Sequence, residues 1–186
     1  KHAERALALN PRLAWASSAV LQLQAASKDW PAAAATLAQQ VKSGLLATGE
    51  GHKKQAAMLT AQALAAEDAN RAQALDFAAR AHKLDPSLVP AALVAARVHI
   101  AEGAQRKAAK IIRETWALSA HPDLAEVMAH LKPGDGPDAR FERVRDLLRE
   151  GDGGVEGAYS LARAAVRAQR WDVAREALRN YAVAKP

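Results

Sequence analysis

Alanine dominates the sequence and restricts the chain to helical folds. The 186 residues include 48 Ala and 21 Leu but only 11 Val and 3 Ile. Ala and Leu are strong helix formers, whereas β-branched residues favour strands. With 4 Trp, 2 Tyr and 2 Phe, the chain has too few aromatic residues for a platform that stacks nucleic-acid bases. The composition therefore predicts an all-α protein whose helices pack closely through small side chains.

Glycine and proline divide the chain into eleven predicted helices. Gly44, Gly49 and Gly51 indicate a loop, and the clusters at 133–137 and 151–154 indicate two more. No apolar stretch reaches the roughly 20 residues of a membrane span. The predicted helices are 1–9, 12–26, 30–43, 52–67, 70–84, 88–102, 104–119, 123–131, 138–150, 155–168 and 171–184.

Several kinds of chemistry are excluded by residues and motifs that the sequence lacks. Without cysteine there are no disulfides, thiolate metal sites or thiol nucleophiles. The 6 histidines form no metal-binding pair, and no dinucleotide-binding glycine motif or nucleophile elbow is present. The net charge of +6 permits contact with anions, but acidic residues interleave with the basic ones almost everywhere. We therefore predict a protein without catalytic residues, bound metal or a nucleic-acid partner.

A small residue recurs where the second helix of each predicted helix pair begins. Ala33, Ala74, Ala108 and Ala174 occupy this place, with gaps of 41, 34 and 66 residues. This spacing resembles the tetratricopeptide repeat, a helix–turn–helix unit of about 34 residues. In that repeat the small residues lie where two helices touch. We therefore expect Ala108 and Ala174 to be buried at helix crossings, together with Ala96 and Ala162.

The fold class implied by this spacing is an all-α, right-handed solenoid of tetratricopeptide type. It is predicted to form a single domain over residues 1–186, with repeats in 1–122 and a final repeat in 155–186. Between them, residues 123–150 are expected to form an irregular helical pair, because its first helix is short and its turn is rich in proline and glycine. This pair is expected to change the curvature of the solenoid.

The irregular segment carries a more specific resemblance. Trp116 precedes His-Pro-Asp-Leu-Ala at 121–125, which runs into Pro-Gly-Asp at 133–135. These motifs are similar to the tetratricopeptide region of HemY-type proteins, which are associated with late haem biosynthesis in proteobacteria. The resemblance implies a soluble piece of a longer protein that is anchored in the bacterial inner membrane, with its repeats on the cytoplasmic side. It also implies a non-catalytic scaffold that organises haem-biosynthetic enzymes, the alternative being an adaptor of another pathway.

Candidate partner-binding residues follow from the phase of the repeat. In the tetratricopeptide family the first helix of each unit lines a concave groove, and its groove positions fall on Tyr159, Arg163 and Arg167 in the last unit and on Leu93 and Arg97 in an earlier one. Arg163 and Arg167 share one helix face, because they are four residues apart. Arginine forks bind carboxylates in bidentate fashion. The groove therefore predicts an acidic protein ligand, while the alternative is a solvated face paired to Glu156.

A second set of basic residues carries an alternative interpretation. A predicted second helix places Arg106, Lys107, Lys110 and Arg113 on the convex side, where they would meet an anionic membrane surface, an acidic partner or solvent alone.

Direct binding of haem or another porphyrin is the alternative to a protein ligand. The groove arginines would hold the propionates, and His99 or His121 would be the axial ligand. We otherwise expect no cofactor. His99 is expected to be a packing residue, and His121 is expected to cap the helix that begins at Pro122.

Overall fold

The computed structural model describes residues 2–10, 12–151 and 153–181. Within these ranges every regular element is helical, which confirms the predicted all-α class. The elements are α1 (His2–Leu9), α2 (Ala14–Ala26), α3 (Trp30–Lys42), α4 (Thr48–Ala66), α5 (Arg71–Leu84), α6 (Val89–Ala101), α7 (Gln105–Leu118), α8 (Pro122–Ala129), α9 (Pro137–Leu147) with a 3₁₀ turn at Leu148–Glu150, α10 (Gly154–Arg167) and α11 (Trp171–Leu178).

Side chains that cap the first turns set where several helices begin. Asp29 accepts a hydrogen bond from the backbone N–H of Ala32 at 3.2 Å, and Asn70 accepts one from Gln73 at 3.1 Å. His121 Nδ1 accepts from the N–H of Asp123 at 3.2 Å, so the predicted capping role of His121 is confirmed. Because such caps satisfy N–H groups that the helix itself leaves unpaired, these starts could be predicted from local sequence.

The predicted start of α4 at residue 52 is wrong, because the helix begins at Thr48. Gly51 lies inside its first turns and is buried against α3. A Cβ atom at Gly51 would lie 2.5 Å from Val41 Cγ2, too close for any other residue without displacing Val41. Glycine at this position therefore serves the close approach of two helices, not a loop.

The helices stack as pairs in the manner of an α-solenoid. Each helix packs against the next one along the chain, and α4, α6, α8 and α10 also contact one another in series. We call the surface shared by these four helices the first-helix face. The pair α8–α9 is short, with 8 and 11 residues, yet α8 packs against α6 and α10 as a repeat would. The predicted change of curvature at this pair stays a prediction.

The core confirms the predicted phase of the repeat. Ala96, Ala108, Ala162 and Ala174 are exposed by 0, 0, 4 and 7 %, so all four lie where helices cross. The largest side chain of the core cluster that contains these alanines is Trp116, which is 2 % exposed. The small side chains allow the helices to approach closely, and the resulting packed core runs continuously from α6 to α11.

Trp116 also fixes the loop that leads into α10. Its indole Nε1–H donates to the carbonyl oxygen of Gly151 at 2.8 Å. Gly153 has a φ of +68°, and a Cβ atom there would lie 2.7 Å from Trp116 Cζ2. Both the left-handed backbone and the contact with the indole ring require glycine at this position. The loop therefore holds the start of α10, and with it the register of the arginines on that helix.

Candidate functional site

A cleft of about 300 Å³ lies between α8, α9 and α10. Its inner wall is apolar, because Ala125, Ala129, Val144 and Ala164 line it and are buried. The remaining lining residues are Pro122, Glu126, Pro137, Arg140, Ser160, Arg163 and Arg167. The cleft thus combines an apolar inner wall with charged side chains among its remaining lining residues.

The charges of the cleft are unbalanced. Arg140, Arg163 and Arg167 carry three positive charges, while Glu126 is the one acidic residue among those that line it. Arg163 and Arg167 come from consecutive turns of α10, as their spacing predicted, and Arg140 comes from α9. An excess of guanidinium groups beside an apolar wall suits a ligand that joins a carboxylate to aliphatic carbon.

Glu126 holds both α10 arginines. Its Oε2 atom accepts a hydrogen bond from Arg163 Nη2, and Arg167 Nη1 lies 2.8 Å from Oε1 and 2.9 Å from Oε2. His130 Nδ1 lies 3.5 Å from Oε1. The burial of Glu126 acts to raise its pKa, but the hydrogen bond from Arg167 and the charges of Arg167, Arg163 and His130 together hold the pKa below its ordinary value.

Arg140 contrasts with its charged neighbours because its guanidinium has no acceptor within the described part of the chain. Its Nε atom is shielded from solvent and donates no hydrogen bond. Nearby on α9, Arg143 is paired with Asp135 and donates to the carbonyl oxygen of Ala129 at 2.6 Å. Among the residues that the structure describes, Arg140 is therefore the cation of the cleft that lacks an internal partner.

The five predicted groove residues do not all lie at one site. Arg163 and Arg167 line the cleft, and Tyr159 lies beside it with the Arg163 guanidinium carbon 5.6 Å from its ring centroid. Tyr159 is 46 % exposed, so its ring is accessible as predicted for a groove position. Leu93 is 9 % exposed and belongs to the core, so its assignment to the groove surface is wrong. The position on α6 that the repeat phase assigned to Leu93 therefore faces the core and not the groove.

Arg97 is exposed on α6 but lies outside the cleft. Its Nε and Nη2 atoms donate to the two carboxylate oxygens of Glu67 at 2.6 and 2.7 Å. The hydrogen bond from Arg97 to Glu67 raises the pKa of Arg97, an effect that outweighs burial. The first-helix face is therefore lined by ion pairs between successive first helices. Arg97, Arg163 and Arg167 are all paired in this way, although their side chains remain 42, 35 and 49 % exposed.

Sequence reasoning missed both Glu126 and Arg140. It named Glu156 as the partner of the α10 arginines, but these bind Glu126, which is 37 and 41 residues away in sequence. Local spacing could not find this pair. The signal that could have found it was the repeat itself, since treating α8 as the first helix of a unit places Glu126 on the first-helix face.

The predicted convex patch forms one exposed row on α7. Arg106, Lys107, Lys110 and Arg113 are all exposed. Lys110 Nζ lies 3.8 Å from Glu114, and Arg113 Nε lies 3.6 Å from Glu150. At these distances and exposures the pairs are weak, so the row stays an alternative anion-binding surface.

The histidines named as possible axial ligands do not join the arginines. Neither His99 nor His121 lines the cleft. His99 is packed into the fold with its side chain 13 % exposed, and burial lowers its pKa despite the opposing charge of Glu102. Across residues 2–10, 12–151 and 153–181, no cluster of three or more histidine and acidic side chains is placed to hold a metal ion.

Stacked helix pairs with alanine at their crossings define the described part of this chain as an α-solenoid whose pairs resemble the tetratricopeptide repeat. Its distinctive feature is a basic cleft in an atypical unit. No known family profile matches it. Over 147 residues it is 27 % identical to the protein named "Probable magnetosome protein Mms48" of Magnetospirillum gryphiswaldense, a likeness that covers 79 % of this chain and 33 % of the relative. The chain thus spans about a third of the length of this curated relative.

Two solved structures are similar in outline. The crystal structure of TTC0263, a thermophilic tetratricopeptide-repeat protein in Thermus thermophilus, has a TM-score of 0.40 at 21 % identity, covering 88 % of this chain and 87 % of that one. The crystal structure of MamA protein has a TM-score of 0.44 at 13 % identity, covering 93 and 97 %. Because both TM-scores are below 0.5, the fold assignment rests on the helices and contacts described above.

None of the helices in the described ranges combines the length and the apolar character that crossing a bilayer requires. The membrane anchor, the cytoplasmic face of the inner membrane and the haem-pathway origin implied by the HemY-type resemblance stay predictions.

Proposed function

We propose that this chain is a non-catalytic protein-interaction module that binds acidic segments of partner proteins at the cleft between α8, α9 and α10. One observation carries this proposal: three arginines and a single glutamate line a cleft whose inner wall is apolar. Such a cleft complements a glutamate or aspartate side chain that lies next to aliphatic groups. Tyr159 extends the same surface with an exposed aromatic ring beside Arg163.

The size and chemistry of the cleft favour a peptide over a large cofactor. A volume of about 300 Å³ is at the lower end for ligand pockets and fits one or two side chains. Charge-assisted hydrogen bonds contribute roughly 1.5–3 kcal/mol when they are desolvated and far less when exposed. A single carboxylate therefore gives modest affinity, and useful binding needs an extended segment along the first-helix face.

The partner class can be narrowed only by likeness to other proteins. The HemY-type motifs favour haem-biosynthetic enzymes at the inner membrane. The relative Mms48 is named a probable magnetosome protein, which instead favours a partner among magnetosome proteins. The comparisons give the haem-pathway role no support, and the proposal of an acid-binding module depends on neither.

The proposal is tested with a short, fluorescein-labelled peptide that alternates Glu with Leu and Ala, together with its Gln counterpart. We expect the Glu peptide to bind and the Gln peptide to fail. The variant Arg163→Gln with Arg167→Gln should lose at least about tenfold in affinity, because it removes two charge-assisted contacts.

The matched control is Arg175→Gln with Arg179→Gln, which removes the same charge from exposed arginines on and just after α11. These arginines pair with Asp172 and Glu176, away from the cleft. Circular dichroism at the assay temperature verifies that each variant is folded. Equal binding by the two double variants would refute the proposal and direct attention to the basic row on α7.

A further inference from the structure

The cleft already contains a carboxylate in the position that a ligand would take. Glu126 accepts from both α10 arginines, with Arg167 Nη1 within 2.9 Å of each of its oxygens. Its side chain is 34 % exposed, so it is held at the mouth of the cleft where a solute can reach it. Each arginine donates to Glu126 through one Nη atom, and the Glu126 carboxylate already balances part of the charge that a ligand would use. A partner carboxylate must therefore compete with Glu126 for the same groups.

Arg140 offers a competing carboxylate an additional hydrogen-bond donor. Its Nε–H is excluded from water and has no acceptor in the described part of the chain. A buried donor without a partner is rare, because it loses water without recovering a hydrogen bond. The same side chain lines the cleft together with the α10 arginines. A carboxylate that enters the cleft would accept from this guanidinium once the Arg140 side chain turns its Nε–H into the cleft.

The other cations around the cleft are already satisfied. Arg170 lies 2.9 Å from Asp138 and 3.3 Å from Glu142, and its guanidinium stacks on the Phe141 ring at 4.5 Å from the centroid. Arg143 is held by Asp135, as described above. Within the described residues, the missing acceptor is therefore a property of Arg140 and not of the α9 arginines in general.

We propose that the cleft binds a glutamate side chain of its partner by carboxylate exchange, in which the incoming carboxylate accepts from Arg140 and takes Arg163 or Arg167 from Glu126. Glu126 then acts as an internal competitor that keeps the empty cleft closed to weak acids. The buried Ala125, Ala129, Val144 and Ala164 receive the methylene carbons of the ligand. This inference rests on the proposed function and assigns Arg140 and Glu126 roles that neither the repeat phase nor the comparisons gave them.

The exchange makes an unusual prediction, because removing a residue of the site should improve binding. Glu126→Gln keeps the shape of the side chain but frees two guanidinium groups. We expect it to bind the labelled Glu peptide about tenfold more tightly than the parent chain, since one charge-assisted competitor is lost. Arg140→Gln should weaken binding by about the same factor. The peptide is capped at both ends, so that its only carboxylates are side chains.

Two controls match these charge changes away from the cleft. Glu114→Gln alters an exposed carboxylate on α7, and Arg80→Gln alters an exposed arginine on α5 that pairs with Asp76 at 3.3 Å. Neither should change the affinity. A direct readout is the Nε–H resonance of Arg140 in a ¹⁵N-correlated spectrum, assigned by its loss in Arg140→Gln. On saturation with peptide this resonance should shift and exchange its proton with water more slowly.

The outcomes separate this inference from the proposed function. If Arg163→Gln with Arg167→Gln abolishes binding but Glu126→Gln weakens it, Glu126 is part of the receptor surface and the exchange is refuted. An unchanged affinity in Arg140→Gln, with an unmoved Nε–H resonance, refutes the role of Arg140. Binding that requires a free peptide C-terminus would overturn the assignment of a glutamate side chain. Loss of any difference between Glu and Gln peptides refutes the proposed function itself.

Discussion

Glu126 on α8 and Arg167 on α10 form an ion pair across the atypical unit, with Arg167 Nη1 2.8 and 2.9 Å from the two carboxylate oxygens. The contact joins helices that are separated in sequence by the whole of α9. Together with Arg163, it ties the last repeat to the irregular pair. The same residues line the cleft that we propose as the binding site, so stability and function are coupled through this contact.

This coupling predicts a defined acid sensitivity. The folded state holds the pKa of Glu126 below its ordinary value of 4.5, so the unfolded chain takes up the proton first as the pH falls. The stability from this contact is present above that ordinary value and is lost as the pH falls through it towards the folded-state pKa. Guanidinium groups keep their charge throughout this range, so the titration of the contact is that of the carboxylate.

The measurement is urea unfolding between about pH 6 and pH 3, near the range where carboxylates titrate. Glu126→Gln should lose less stability over this interval than the parent chain. Glu114→Gln, which removes an exposed carboxylate, should follow the parent curve. Parallel curves for the parent and Glu126→Gln would show that the Glu126 contact contributes nothing to folding.

The burial of alanine at the helix crossings predicts that larger side chains at these positions destabilise the fold. Replacing Ala162 or Ala174 with Leu should destabilise the fold by about 1–3 kcal/mol, because the added carbons must displace packed neighbours. Ala117→Leu is the control, since Ala117 is exposed on α7 and its substitution should change stability by less than about 0.5 kcal/mol. Urea midpoints at constant m-value measure the difference. An unchanged free energy of unfolding in Ala162→Leu would mean that this helix crossing accommodates a larger side chain without displacing its neighbours.

Gly51 and Gly49 predict opposite effects of the same substitution. Both lie in the first turns of α4, but a Cβ atom at Gly51 would meet Val41, whereas nothing lies within 4 Å of one at Gly49. Gly49→Ala should stabilise the chain by up to about 1 kcal/mol, because alanine is the better helix former. Gly51→Ala should destabilise it, since the branched Val41 side chain has little freedom to move.

A second substitution separates steric contact from helix propensity. In a Val41→Ala background the obstruction is gone, so Gly51→Ala should become stabilising like Gly49→Ala. Thermal unfolding of the four combinations at positions 41 and 51 measures this coupling. Additive effects would show that Val41 does not restrict Gly51.

Salt should distinguish the two parts of the binding site. Contacts to exposed arginines are screened by added salt, whereas burial of aliphatic carbon in the apolar wall is not. We expect the Glu peptide to lose affinity as NaCl rises, and the loss to be smaller in Arg163→Gln with Arg167→Gln. Fluorescence anisotropy at several NaCl concentrations measures both slopes. A salt-independent affinity in the parent chain would contradict recognition through arginine.

The sequence by itself determined the helices and the phase of the repeat. Helix propensity, capping and chain breaks act over a few residues, so the ends of α5 and α6 and the cap at His121 could be predicted from their neighbours in the chain. The buried faces were also readable, because Ala96 and Ala162 recur with the period of the unit.

Tertiary structure alone decided which charges meet and which stay unpaired. Arg97 binds Glu67 and Arg163 binds Glu126, over sequence separations of 30 and 37 residues that no local rule specifies. Whether Gly51 continues a helix depended on how closely α3 approaches it, and not on its own propensity. Within the described part of the chain, Arg140 is left without a partner for the same reason. An ion pair forms between side chains that packing brings together, and here packing pairs Asp138 with Arg170 and Asp135 with Arg143.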